Sequence, residues 1–197
     1  TQAGTQNNIK QLIPYGSNQF IALTQDGKLG SSSANWSNFA PSGSGISLLN
    51  AVRYVAGEGV VLAGNKIAFK AENDVNLTGI HSGWLTYDLS GVPPLTPIVD
   101  AYYSSATGWL VLLSTGDLYH ATLSGSVLTL GSIAQNNIKT FAPKGNVLYA
   151  VTNASVVIKS SDGVTWTTIT PAFTPAIANF NAISVNSESN ILATFDN

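Results

Sequence analysis

An all-β chain made of about five repeats is what this sequence predicts, on three observations. The apolar segments are short, alternating or continuous, and rich in β-branched residues; none carries the 3.6-residue stripe of a helix. Five of them (Phe20-Ile-Ala-Leu-Thr, Val60-Val-Leu-Ala-Gly, Leu110-Val-Leu-Leu-Ser, Val147-Leu-Tyr-Ala-Val and Ile191-Leu-Ala-Thr-Phe) recur at a mean spacing of about 43 residues, each running into a turn signal. Finally, Gln6-Asn7-Asn8-Ile9-Lys10 returns as Gln135-Asn136-Asn137-Ile138-Lys139, five identities at an offset of 129. A repeat of that length holding four short strands has the size of a β-propeller blade. The expected architecture is a single propeller domain over residues 1–197, with four complete four-stranded blades and an incomplete fifth.

The clearest unit is the fourth. Val147-Leu148-Tyr149-Ala150-Val151 meets the polar turn Thr152-Asn153-Ala154, and Val156-Val157-Ile158 leads back from it. Two β-branched runs around a tight polar turn read as a hairpin. Asp162-Gly163 supplies the next turn, since Asp hydrogen-bonds the backbone just ahead and Gly tolerates positive φ. Trp166 then anchors a further strand.

The units follow in order. The first spans about 7–41, with Asp26-Gly27 as its hairpin turn and Pro41-Ser42-Gly43-Ser44-Gly45 as the linker beyond it. The second, about 47–97, leaves the pattern after Lys70: Ala71 to Pro97 is longer than its counterparts and holds His81, Trp84, Tyr87 and Pro93-Pro94. The third is about 98–134, the fourth 135–172, and the fifth 179–197 with only two strands. A bare strand at 190–196 would be an aggregation hazard. The expectation is therefore that the N-terminal segment or a neighbouring chain covers it, or that the natural chain continues.

Composition narrows the function. Charged residues are only 9%, whereas Ser, Thr and Asn make up 58 of 197, so solubility rests on hydroxyls and amides. A net charge of −2 without a basic run lacks the electrostatic footprint of a nucleic-acid binder. No apolar run approaches the roughly 20 residues that a membrane-spanning helix needs. The chain has no cysteine, which excludes disulfides and thiolate zinc sites. His81 and His120 lie far apart without a second ligand at metal-site spacing, so neither a metal nor another cofactor is expected.

Ser160-Ser161-Asp162-Gly163-Val164-Thr165-Trp166 resembles the Asp-box, the bacterial neuraminidase repeat of sialidase-like propellers, one residue shorter between Asp and Trp. Residues 31–36 keep its Ser and Trp. The resemblance implies structural roles: Asp162 and Gly163 in the turn, Trp166 and Trp36 packed between sheets. The sialidase active site itself is not implied. It uses three arginines to clamp a carboxylate, and Arg53 is the only arginine; lysine lacks the bidentate fork. A general glycosidase needs two carboxylates about 5–9 Å apart, and the acids here sit mostly in or beside turns. Glu72 and Asp74 lie together, but on the excursion of the second unit. No catalytic residue is assigned.

The function expected is a non-enzymatic binding or structural module outside the cytoplasm. A virion fibre, decoration or receptor-binding domain fits, as does a secreted lectin-like protein; a glycoside hydrolase of the Asp-box type is the alternative. Partners would be a protein neighbour in an assembly, a homo-oligomer included, or a surface glycan. Trp84, Tyr87 and His81 on the long excursion are the contact candidates, because flat aromatic faces suit sugars and protein hot spots alike. For Trp84 the competing expectation is a core position like that of Trp36 and Trp166. Lys10, Arg53, Lys139 and Asp100 fall on the first strands of their units, which in a propeller face the central channel.

Overall fold

Alternation and turn chemistry produce the expected sheets in the computed structural model, which describes residues 8–15, 18–32, 41–93, 96–169, 180–187 and 190–195. The first blade holds β1 (Ile9–Tyr15), β2 (Gln19–Thr24) and β3 (Leu29–Ser31). Its fourth strand and Trp36 would fall at 33–40, outside the described residues. The second has β4 (Ala51–Val55), β5 (Gly59–Ala63), β6 (Ile67–Ala71), the short helix α1 (Glu72–Thr78) and β7 (Leu85–Ser90). The third has β8 (Ile98–Ser104), β9 (Gly108–Leu113), β10 (Leu118–Ser124) and β11 (Val127–Gln135). The fourth comprises β12 (Ile138–Lys144), β13 (Val147–Thr152), β14 (Val157–Ser160) and β15 (Thr167–Ile169), and the fifth β16 (Phe180–Ser187) and β17 (Asn190–Phe195). The five recurring apolar runs are the second strands of the five blades.

Within each blade successive strands pair antiparallel. The outer strands β7 and β11 pair parallel, from Val127 against Asp88 to Thr129 against Ser90, which fuses the second and third blades into one eight-stranded sheet. Strand faces bury between blades. Ile13, Ile21 and Leu23 pack on Val52, Val60 and Leu62; Val61 and Ile67 pack on Trp109, Val111 and Leu128. Next, Tyr102, Leu110 and Leu112 meet Phe141, Leu148 and Ile158, and Tyr149, Val151 and Val157 meet Ile183 and Val185. Four inter-blade cores thus follow one another along the chain, each built by neighbouring sheets.

The described parts of the two Gln-Asn-Asn-Ile-Lys copies do the same backbone job. The backbone N–H of Gln25 donates to Asn8 O at 2.8 Å and that of Asn153 to Asn137 O at 2.7 Å, tying the end of each second strand to the entry of the first. Immediately after, Ile-Lys carries a bulge: register shifts between Ile9 and Gln11, and between Ile138 and Thr140. The same shift occurs between Ile98 and Asp100 and between Phe180 and Ala182. A bulge adds one unpaired residue and bends the strand, so Lys10, Val99 and Lys139 occupy equivalent places at the starts of their inner strands.

Candidate functional site

The inner strands β1, β4, β8, β12 and β16 surround a cavity of about 810 Å³. Among the described residues each is the terminal strand of its sheet, with one edge unpaired by backbone. Buried backbone groups need partners, and side chains from adjacent blades provide several. The Gln11 carboxamide grips Val52 on both sides, donating to its carbonyl at 2.8 Å and accepting its N–H at 3.0 Å. Asn50 Nδ2 donates to Ile98 O at 2.7 Å. These bonds set the starts of β1, β4 and β8 side by side at one mouth. Glu58, which accepts the N–H and hydroxyl of Ser105, does the same for the far end of the second and third blades.

Deepest in the wall is the pair Arg53–Asp100. Arg53 Nε donates to both carboxylate oxygens of Asp100 at 3.1 Å, and its Nη2 donates to Asp100 Oδ2 and, at 2.7 Å, to Phe141 O. The guanidinium also lies 5.1 Å from the centre of the Phe141 ring. One side chain of the second blade therefore holds the third and fourth. Asp100 is only 4% exposed. Burial pushes its carboxyl above the usual range, while Arg53, the Ala101 N–H and the charge of Lys10 pull the other way. Its carboxylate oxygens are engaged by Arg53 and by the Ala101 N–H, inside the wall.

Charge is sorted toward this cavity. Among the described residues its lining includes Lys10, Arg53, Lys139 and Lys144, half of the chain's eight cations, and, of the eight described acids, Glu58 and Asp100. Lys10 and Lys139 stand on the equivalent bulges, and Lys10 Nζ is 3.5 Å from Asn50 Oδ1. Leu12, 55% exposed, and Val99 share the lining with them.

The excursion of the second unit is built differently from the expectation. Glu72–Thr78 is a helical turn, then the chain returns as outer strand β7. Tyr87 lies on β7 and is 7% exposed, edge-on to Trp109 with ring centroids 5.5 Å apart, so its face is not offered to a partner. Trp84 is half-buried against the core of the first two blades, donates Nε1–H to Ile80 O at 3.2 Å, and lies 5.9 Å from Lys70 Nζ. His81 is half-buried as well, its Nδ1 3.4 Å from Pro41 O. Its own carbonyl crowds Gly43 (φ +69°), where a Cβ would lie 2.3 Å from that oxygen. The linker 41–45 and the excursion pack on one another, with Ser82, Gly83 and Leu85 exposed beside the partly exposed His81 and Trp84.

Beneath them Lys70, 1% exposed, donates to the carbonyls of Gly79 and Ser82. Burial lowers its pKa, with Asp74 opposing. Sequence reasoning passed over Lys70; its place in the apolar run Ile67-Ala-Phe-Lys-Ala was the available signal.

The turn Ser160–Trp166 joins the third and fourth strands of its blade. Asp162 Oδ1 accepts the N–H groups of Val164 and Thr165 at 2.8 and 2.7 Å and the Ser160 hydroxyl at 2.8 Å. Those three donors hold its carboxyl well below the usual range. Gly163 takes φ +73°, and its N–H donates to Ser160 Oγ at 2.9 Å. A ring nitrogen of His120, on the third blade, donates to Gly163 O at 3.1 Å. Trp166 packs partly buried against the core of blades three and four, with its Nε1 unpartnered among the described residues. Glu72, which lies with Asp74 on the excursion, accepts from the Tyr54 hydroxyl and, at 2.6 Å, from the Gly57 N–H. Among the described residues no cluster of three or more His, Cys, Asp or Glu is arranged to hold a metal ion. No helix among them is long and apolar enough to cross a membrane.

No family model matches the chain, and no curated protein does. Solved structures do. YCF48 from Cyanidioschyzon merolae is 12% identical with a TM-score of 0.59, over 98% of this chain and 68% of that one. The extracellular domain of the one component system BT4673 from B. thetaiotaomicron is 10% identical with a TM-score of 0.61, over 99% of this chain and 27% of that one. A structure of YCF48 bound to D1 peptide gives 11% identity and a TM-score of 0.60, over 98% and 63%. This chain thus spans from about a quarter to two thirds of the length of these neighbours. At such identities the likeness concerns the fold alone: the chain is a β-propeller.

Proposed function

We propose that this chain is a non-enzymatic binding or structural module that takes a protein neighbour at its central channel. The observation that carries the reading is the cavity of about 810 Å³ walled by the inner strands of all five blades, where half of the chain's cations gather. Concave sites with a few convergent polar groups are the usual seats of ligands. One structural neighbour was solved with a bound peptide, which favours a protein segment over a glycan. Work outside the cytoplasm, on a virion or in a secreted protein, suits a surface dependent on Ser, Thr and Asn, and one neighbour is an extracellular domain. Kinship with the Asp-box family is supported by the Asp162 turn, whose carboxylate closes the loop on two backbone N–H groups. Absence of hydrolysis is supported by the engagement of Glu58, Glu72 and Asp100 in structural hydrogen bonds.

Selection from a displayed peptide library, with a glycan array in parallel, tests the reading. Leu12→Trp should narrow the channel at its wall and weaken capture of the selected peptides, while Val164→Trp on the outer turn leaves it intact. Binders that ignore Leu12→Trp, or turnover of a fluorogenic glycoside panel, would overturn it.

A further inference from the structure

Resting on that channel reading, we propose that the mouth where the inner strands begin is selective for carboxylates, and that its occupant is an acidic, extended protein segment. The bulges of the first and fourth blades place Lys10 and Lys139 at equivalent positions of that mouth, on strands whose Gln-Asn-Asn-Ile-Lys approach is identical. Its acid among the described residues, Asp100, lies behind Arg53 and is 4% exposed, so that negative charge is covered, and both lysines are exposed. Glu58 belongs to the opposite mouth, tied to Ser105, and Lys144 ends β12 on that side. Counted over the described residues, the wall is therefore net cationic in a chain whose net charge is −2. A concave, low-dielectric wall of one sign focuses the field on what enters it.

The type of cation selects the anion. Arg53 has its fork committed to Asp100 and the Phe141 carbonyl, so it offers no free bidentate face for a phosphate or sulfate. Lysine ammonium groups act as separate point charges, which suits carboxylates dispersed along a peptide. Leu12 and Val99 between them give apolar contact to the same segment.

Fluorescence anisotropy with three probes decides the matter: a labelled ten-residue peptide of alternating Asp/Glu and Gly/Ser, its Asn/Gln counterpart, and a sulfated oligosaccharide. The acidic peptide should bind at least about tenfold tighter than its amide counterpart and weaken as salt rises. Lys10→Glu with Lys139→Glu should remove that preference; Lys10→Gln with Lys139→Gln should reduce it. Lys66→Glu, on the outer Lys66–Asp88 pair, should leave it unchanged. Thermal melts establish that each variant is folded. Equal binding of the acidic and amide peptides, weakened by Leu12→Trp, would overturn carboxylate selectivity while keeping the channel as the site. Stronger binding of the sulfated sugar would overturn the protein segment as occupant, and binding of no probe would overturn both readings.

Discussion

Single side chains in this propeller do the work of sheet edges and turns. Asp162 is an example: one oxygen accepts three donors, and its carboxyl titrates below the ordinary range. A depressed folded-state pKa means that the unfolded chain takes up the proton first. The stabilisation is present above an unfolded value of about 3.9 and is lost as pH falls through the folded value. Asp162→Asn should therefore lower the melting temperature clearly at pH 7 and progressively less toward pH 2; a pH-independent difference would mean that the charge is immaterial. Arg53 and Asp100 follow the opposite logic, because both are withdrawn from water. Arg53→Met alone strands a buried carboxylate, at a cost of about 3–5 kcal/mol. The double variant with Asp100→Leu should recover a good part of that in urea unfolding, since an apolar pair in the same space carries no uncompensated charge. Equal losses in the single and double variants would contradict this account.

At the scale of elements, the second blade's excursion is where sequence reasoning and structure part. Seven residues of helix with no side-chain N-cap and no apolar stripe give periodicity nothing to detect. From sequence Tyr87 is expected as a contact on that excursion, whereas it lies on strand β7, whose pairing with β11 makes its surroundings interior. That pairing is long-range and leaves no local mark. Lys70 holds the excursion down, so Lys70→Met should leave β5 and β6 in place yet speed amide exchange around Gly79 to Trp84. Uniform exchange across the whole blade would show that Lys70 supports more than the loop. Trp84→Ala should cost about 2 kcal/mol, short of the fully buried range because the ring is half-exposed. It should leave channel binding unaltered; loss of binding in a folded variant would restore Trp84 as a contact.

Across the whole molecule, the repeat was legible because each blade reuses one solution: an apolar second strand, a tight turn, a bulged first strand. Asp162-Gly163 and Gln-Asn-Asn-Ile-Lys were visible because turn and entry chemistry is local. The channel's sorting of charge was only half visible. Lys10, Arg53, Lys139 and Asp100 could be placed on first strands, but which of them pair depends on how blades meet in space. The chain of four inter-blade cores, each shared by neighbours, makes stability a sum of nearest-neighbour terms, as in other repeat architectures. Leu23→Ala, in the core of blades one and two, and Leu148→Ala, in that of blades three and four, should each cost about 2–5 kcal/mol. In combination they should add to within about 0.5 kcal/mol, whereas Leu23→Ala and Leu62→Ala, within one core, should depart from additivity. Arg53 supplies the exception that tests the rule. Through its bond to Phe141 O and its place over that ring it reaches past its neighbour to the fourth blade. Arg53→Met and Phe141→Ala, 88 residues apart, should therefore be coupled as strongly as residues of a single core. Phe141→Ala leaves the Phe141 carbonyl and its bond to Arg53 in place. A double-variant cycle in urea that sums without remainder would therefore show that the contact of the guanidinium with the ring adds nothing to the pin.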